Sequence, residues 1–196
     1  MRFKEIITEL QGIKRIKPEN ISPKNELYND NQNLIDFMNN YGFRVIGEFG
    51  MFSTVFAYKT NPNLVVKIFD IKEDKGFLLF IRFCKENPGN PFLPVFKGNS
   101  IKISENIRMI RIERLYKLKP RDWVPLQKMI SYVNERLVPP EIVARLASLE
   151  DKELYNTLVK LRAFAGHCTF DIHSNNVMKR KNGQIVIIDP FAFGSF

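Results

Sequence analysis

Near the end of the chain, residues 170–176 read "FDIHSNN", and "IIDP" follows at 187–190. These residue types at this spacing suit metal and phosphate chemistry. Asp171 sits in a loop after a helical stretch, where a carboxylate can accept a proton from a hydroxyl nucleophile. Asn176 comes five positions later and can turn back to offer its amide oxygen to a divalent cation. Asp189 closes the apolar run "IVIID". A carboxylate at the tip of a buried strand is placed to bind Mg²⁺ that bridges phosphates. Taken alone, "SNN" and "KNG" also suit a polar turn before a hairpin.

Two upstream features belong to the same chemistry. "GEFGMFSTV", from Gly47 to Val55, places Gly47 and Gly50 at a strand turn. There, backbone amides can approach a phosphate closely, with Ser53 and Val55 on the following strand. The stretch equally suits an ordinary glycine hairpin, and it is not a Walker loop, because no Gly-Lys-Ser/Thr follows. Lys67 lies inside "VVKIF", flanked by apolar residues. Such a lysine either snorkels to the surface from an edge strand or meets a fixed anion. The ordered set is more specific than any member: glycine turn, strand lysine, Asp171 and Asn176 in one loop, then Asp189 on a strand.

The elements that must position these groups follow from periodicity. Residues 1–40 read helical, with a polar break at "KPENISPKN" and a stop at Gly42. "FRVIGEFG", "FSTVFAYK" and "LVVKIFD" read as an antiparallel meander of three strands with glycine and "TNPN" turns. "KEDKGFLLFIRFCKE" returns to helix. "PFLPVFKG" and "SIKISENIRMIRIERL" read as two further strands. After "KLKPRDW" three helices are expected: "PLQKMISYVNERL", "PPEIVARLASL" and "DKELYNTLVKLRAFAG", the last stopping at Gly166. A loop then leads to the hairpin "VMKR-KNG-QIVIID". The order predicts two lobes joined near 113–120.

Composition sets the frame. The chain has 196 residues with 44% hydrophobic content, enough for one domain or two small lobes. The formal net charge of +9 favours acidic proteins, nucleic acid or phosphorylated ligands, and equally suits a solvated basic surface. Cys84 and Cys168 stand in apolar contexts without metal-ligand spacing and read as free buried thiols. No apolar run approaches the roughly 20 residues of a membrane span. The start is not a signal peptide. A cytoplasmic setting is expected.

The ordered set resembles the protein-kinase signature. On that resemblance Lys67 is the strand lysine, Asp171 the catalytic-loop aspartate, Asn176 its asparagine and Asp189 the metal aspartate. "IERL" at 112–115 falls where kinases place the hinge that contacts adenine, which puts Glu113 and Leu115 at the nucleotide. The departures are Thr169-Phe170-Asp171 for His-Arg-Asp, and Asp189-Pro190-Phe191 for Asp-Phe-Gly. His173 stands where protein kinases usually carry lysine and aminoglycoside or choline kinases often carry histidine. The chain stops at Phe196, so no conventional activation segment is expected.

A closer resemblance accounts for those departures. "GEFGMFSTVFAYKTNPNLVVKIF", "KED", "FDIHSNNVM" and "IIDPFAF" are similar to the early serine/threonine protein kinase of Teseptimavirus-like bacteriophages, over about residues 43–196. That family phosphorylates host proteins, including transcription and RNA-processing machinery, during takeover of the bacterium. A second region acting in transcription shut-off can follow the kinase in the family, and none is expected here. Kinases pair the strand lysine with a glutamate. The family's similar "KED" makes Glu73 the candidate, while a first-turn acid favoured by the helix dipole would look the same. His173 either touches the γ-phosphate or holds the loop. His167 reads as structural and Trp123 as core or interface.

The resemblance implies an α+β, minimal protein-kinase-like fold. Residues 1–42 form a helical extension. Residues 43–115 form a five-stranded antiparallel small lobe with one helix, and 116–196 a reduced helical large lobe. ATP and Mg²⁺ are the implied cofactors and host bacterial proteins the implied partners, in the host cytoplasm. No membrane partner is implied, and direct nucleic-acid contact is compatible with the charge but not required. Two rival readings stay open. One is a small-molecule kinase of the aminoglycoside or choline type, which His173 favours. The other is a kinase-like protein that inhibits a host factor by binding alone.

Overall fold

The computed structural model describes residues 31–46, 53–134 and 149–193. The expected helices in 1–30 and at "PPEIVARLASL", and the turn with Gly47 and Gly50, lie outside the described residues. The chain divides into two compact units. The first takes the chain up to Asp74 together with Val95–Arg114, and the second takes Lys75–Pro94 together with Leu115 onward. One boundary between the units lies at Arg114 and Leu115. The helix expected in the small lobe, however, groups with the second unit.

In the first unit, helix α1 (Asn31–Asn40) ends before Gly42, whose φ of +81° a Cβ-bearing residue rarely adopts. Strands β1 (Phe43–Val45), β2 (Ser53–Tyr58), β3 (Asn61–Asp70), β4 (Phe96–Lys102) and β5 (Ile107–Glu113) follow. They form a five-stranded antiparallel sheet ordered β1-β2-β3-β5-β4. Alternate residues of a strand share a face. Phe43, Phe56, Tyr58, Val66, Ile68, Ile107 and Met109 accordingly meet on one face and bury Met38 of α1. Val55, Lys67 and Ile110 are in register on the other face. Part of the expected N-terminal extension is therefore a packed layer of this unit.

Two strand boundaries differ from the sequence reading. "PFLPV" was expected to be extended, yet β4 starts only at Phe96. Pro91 and Pro94 lack the N–H that a ladder needs. Gly98 was expected to end that strand, but it is a bulge inside β4 with φ +79°. The reversal comes later, where Ser104 Oγ accepts from the Ile107 N–H at 3.2 Å. The "TNPN" turn also shortens, because β3 begins at Asn61.

Among the described residues, the second unit is built around three helices. Helix α2 (Lys75–Glu86) buries Gly76, Phe77, Phe80, Ile81, Phe83 and Cys84, a stripe at helical spacing. Helix α3 (Pro120–Asn134) starts earlier than expected, with proline accepted in the first turn, where no intrahelical N–H bond is lost. It buries Leu126, Met129, Ile130 and Val133. Helix α4 (Leu149–Phe164) buries Leu154, Tyr155, Leu158 and Leu161. Three strands were missed, each too short to show a period. β6 (Tyr116–Lys117) pairs with β8 (Val177–Lys179) of the expected hairpin β8–β9, whose second strand is Ile185–Ile187. β7 (Thr169–Phe170) pairs with β10 (Phe191–Ala192). Phe191 then packs between Phe80 and Phe164, with ring centroids 6.3 and 6.4 Å away.

Candidate active site

In the second unit the β7–β10 pairing brings the two chemical motifs side by side. Asp171 follows β7, and its N–H donates to the Pro190 carbonyl at 2.8 Å. This bond holds the loop against the segment that carries Asp189. A 3-10 turn, Ser174–Asn176, then leads into β8. The Asn176 Nδ2 donates to the Asp171 carbonyl at 2.8 Å, and the Ile188 N–H donates to the Asn176 carbonyl at 3.0 Å. Backbone and amide thus tie positions 171, 176 and 188–190 into one constellation. With its NH₂ group committed, Asn176 keeps its Oδ1, which accepts no hydrogen bond among the described residues.

His173 caps the 3-10 turn. Its Nδ1 accepts from the Asn175 N–H at 3.2 Å. In the neutral ring the proton is then on Nε2, which lies 3.8 Å from Asp171 Oδ2. Its ring is half exposed. Of the two roles read for His173, these contacts are those of a residue that holds the loop and faces the Asp171 carboxylate.

The first unit carries the lysine. Lys67 is only 7% exposed, and an ammonium so buried needs a counter-charge. Its Nζ lies 3.4 Å from Asp74 Oδ2. The expected glutamate, Glu73, is exposed. This corrects the sequence candidate. Asp74 caps the chain leaving β3, since its N–H donates to the Asp70 carbonyl at 2.8 Å, and that turn brings position 74 rather than 73 back to the strand. The signal was in the sequence, because "KED" holds two acids, but only the turn decides which one returns. Val55 stands directly across from Lys67 in the sheet, and Ser53 opposite Phe69.

Glu113, expected at the nucleotide, contacts Val95 in the first unit. Its carboxylate accepts from the Val95 N–H at 2.9 Å, and its own N–H donates to the Val95 carbonyl at 3.0 Å. Its polar groups thus fasten the edge of the sheet. Leu115 is half-buried between β5 and β6. Burial pushes the Cys84 thiol far above the ordinary thiol range and raises Cys168 as well. Cys84 is buried as expected, whereas Cys168 is only partly so. His167 is exposed and Trp123 half-buried.

Among the described residues no three His, Cys, Asp or Glu side chains could hold a metal by themselves. The donors at positions 176 and 189 are still of the right kind for Mg²⁺. They are hard oxygens, and this ion usually takes one or two protein ligands and fills its shell with phosphate and water. No helix of the described residues is long and apolar enough to cross a membrane.

The sequence profile described as Bacteriophage T7 protein kinase 0.7 matches residues 24–195. The chain belongs to this family. It is accordingly a phage protein kinase, and the matched span holds every candidate residue of both units. No curated protein sequence matches the chain. Membership of the T7 protein kinase family makes the described constellation a candidate phosphotransferase centre, with Asp171 and its tied partners at its core. Sequence reasoning missed Asp74 and the Pro190 carbonyl, because each depends on a turn or a pairing that leaves no period in the sequence.

Proposed function

We propose that the chain transfers the γ-phosphoryl group of ATP to serine and threonine side chains of host bacterial proteins, in the host cytoplasm, on a minimal protein-kinase-like fold. Asp171 accepts the hydroxyl proton while the acceptor oxygen forms its bond to phosphorus and the bond to ADP breaks. Asn176 Oδ1 and the Asp189 carboxylate would hold Mg²⁺, which would supply charge neutralisation on the phosphates. In the first unit, Lys67, which Asp74 steadies, is the residue that would bind phosphate. His173 fixes the orientation of Asp171. Catalysis on this reading is mostly positioning and charge stabilisation.

What supports the reading most is the link from Asn176 to the Asp171 carbonyl and from Asp171 to Pro190. It gathers a proton acceptor, an amide oxygen and the Asp189 segment in a member of a phage kinase family. The test is incubation with labelled ATP and a lysate of the host bacterium, beside an Asp171→Asn variant. The wild type is expected to label serine and threonine of a limited set of proteins. The variant should fold and lose phosphotransfer by about 10²-fold or more. Full activity in the variant would remove Asp171 from the mechanism. Label on small metabolites alone would establish the small-molecule kinase instead, and host-factor inhibition without any label would establish the binding protein.

A further inference from the structure

The second unit contains an open groove of about 780 Å³, lined by Val133, Tyr155, Val159, Arg162, Cys168 and Phe170, among others. Its volume suits a few side chains of a polypeptide. Its walls mix apolar and polar surface and come from α3, α4, β7 and the turn between α4 and β7. Val159 is 40% exposed here, although it is an aliphatic residue on the helix that buries Leu154, Leu158 and Leu161. Arg162 supplies the charge. Its Nη1 donates to Asn134 Oδ1 at 2.8 Å, and its guanidinium lies 5.9 Å from the centroid of the Phe170 ring. Those contacts fix the arginine in place, and among the described residues it meets no carboxylate. A held, uncompensated guanidinium beside an apolar wall is complementary to a carboxylate next to an apolar side chain. The groove also has a defined relation to the chemistry, because Phe170 is followed directly by Asp171 on the same strand end.

We propose that this groove seats the acceptor polypeptide, taking one of its apolar side chains against Val159 and Phe170 and a neighbouring aspartate or glutamate on Arg162. The inference rests on the phosphotransfer reading and adds to it the chemical class of acceptor: serine or threonine segments with an acidic and an apolar residue at a fixed distance from the hydroxyl. It supplies a substrate grip that does not depend on a conventional activation segment.

A library of serine- and threonine-containing peptides tests it, with one position at a time fixed as Asp, Ala, Lys or Leu and labelled phosphate as the readout. The wild type is expected to favour Asp at one displacement from the acceptor and Leu at another. Arg162→Glu should shift the Asp-to-Lys labelling ratio at that position toward Lys by roughly fivefold or more, as expected for loss and reversal of one partly exposed charge pair. Arg162→Lys should keep the preference for Asp. Val159→Asp, at an exposed position where folding is not at stake, should lower both the Asp and the Leu preferences. An Asp preference that is absent from the wild type, or unchanged in both Arg162→Glu and Val159→Asp, overturns the groove assignment while leaving phosphotransfer standing. A folded wild type that labels no peptide and no protein removes the phosphotransfer reading, and this inference falls with it.

Discussion

A lysine ammonium buried in a strand cannot stay unpaired, and the residue that answers it is set by the turn after that strand. Here Asp74 reaches Lys67, while Glu73, the residue that the sequence favours, faces solvent. The two acids therefore separate cleanly by mutation. Asp74→Asn leaves Lys67 with a weaker partner and should lower phosphotransfer at least tenfold, with ATP affinity falling alongside, since truncating one member of a buried pair costs about 3–5 kcal/mol. Glu73→Gln at an exposed site should stay within about 0.5 kcal/mol of the wild type in stability and keep its activity. Steady-state kinetics and denaturant melts on the two variants check this. The reverse ranking would return the pairing role to Glu73. The same scale explains why His173 could not be assigned from the sequence. The protonated nitrogen follows from the hydrogen bond made by the other nitrogen, and that bond exists only once Ser174–Asn176 has turned.

Elements show a second kind of constraint, in which small residues and charge pairs decide how helices and strands approach. Gly76 opens α2 directly against Phe191. A Cβ at position 76 would run into the Phe191 carbonyl oxygen, a backbone atom that cannot swing away. Gly76→Ala is expected to destabilise the fold by about 1–3 kcal/mol, despite the better helix propensity of alanine, because it displaces β10 or α2. A stability gain in a denaturant melt would refute that packing. At the other helix, the Lys179 Nζ donates to Asp122 Oδ2 at 2.8 Å and ties α3 to β8. That hydrogen bond holds the Asp122 carboxyl below its ordinary range. A carboxyl whose folded value is depressed adds stability that is complete above the ordinary range and is lost as pH falls through the lowered folded value. Thermal midpoints should therefore drop more steeply in the wild type than in Asp122→Asn from about pH 4 downward. The gap should narrow in high salt, because this pair is only partly buried. Identical pH curves for the two proteins would show that the bridge adds nothing. Arg180 fastens a third join, donating to the carbonyls of Pro91 and Leu93.

For the whole molecule, ligand linkage and charge give the readable quantities. If the proposed nucleotide chemistry is right, Mg-ATP binds the native state alone and raises the melting temperature. At a hundredfold excess over Kd the stabilisation is about 2.7 kcal/mol. ATP without a divalent cation should give much less, because Asn176 and Asp189 contribute only through the ion. No shift with saturating Mg-ATP on a folded sample would count decisively against the reading. The net charge of +9 acts on a larger scale. It speeds encounter with acidic partners and is screened over about 8 Å at physiological salt. Labelling of host proteins should fall as salt rises, while Mg-ATP binding, held by close contacts, should fall less.

The sequence alone determined the residue types and their order. Asp171, Asn176, Asp189 and Lys67 stand at spacings that few chemistries require, and the resemblance to the phage kinases rested on those motifs. Long elements were equally readable: the stripe of α2, the alternation in β2 and β3, and the β8–β9 hairpin with Gly183 at φ +94° each repeat a period set by backbone geometry. Tertiary structure decided what has no period. It chose Asp74 over Glu73, spent the polar groups of Glu113 on Val95, and turned Gly98 from a strand end into a bulge. It also paired the two-residue strands β7 and β10 across the length of the intervening loop and hairpin. The physical reason is common to all of these. A side chain's type and helical or strand phase are local properties of the chain. Which donor meets which acceptor depends on how distant segments pack, and a shift of one residue in a turn changes the partner without changing the sequence pattern.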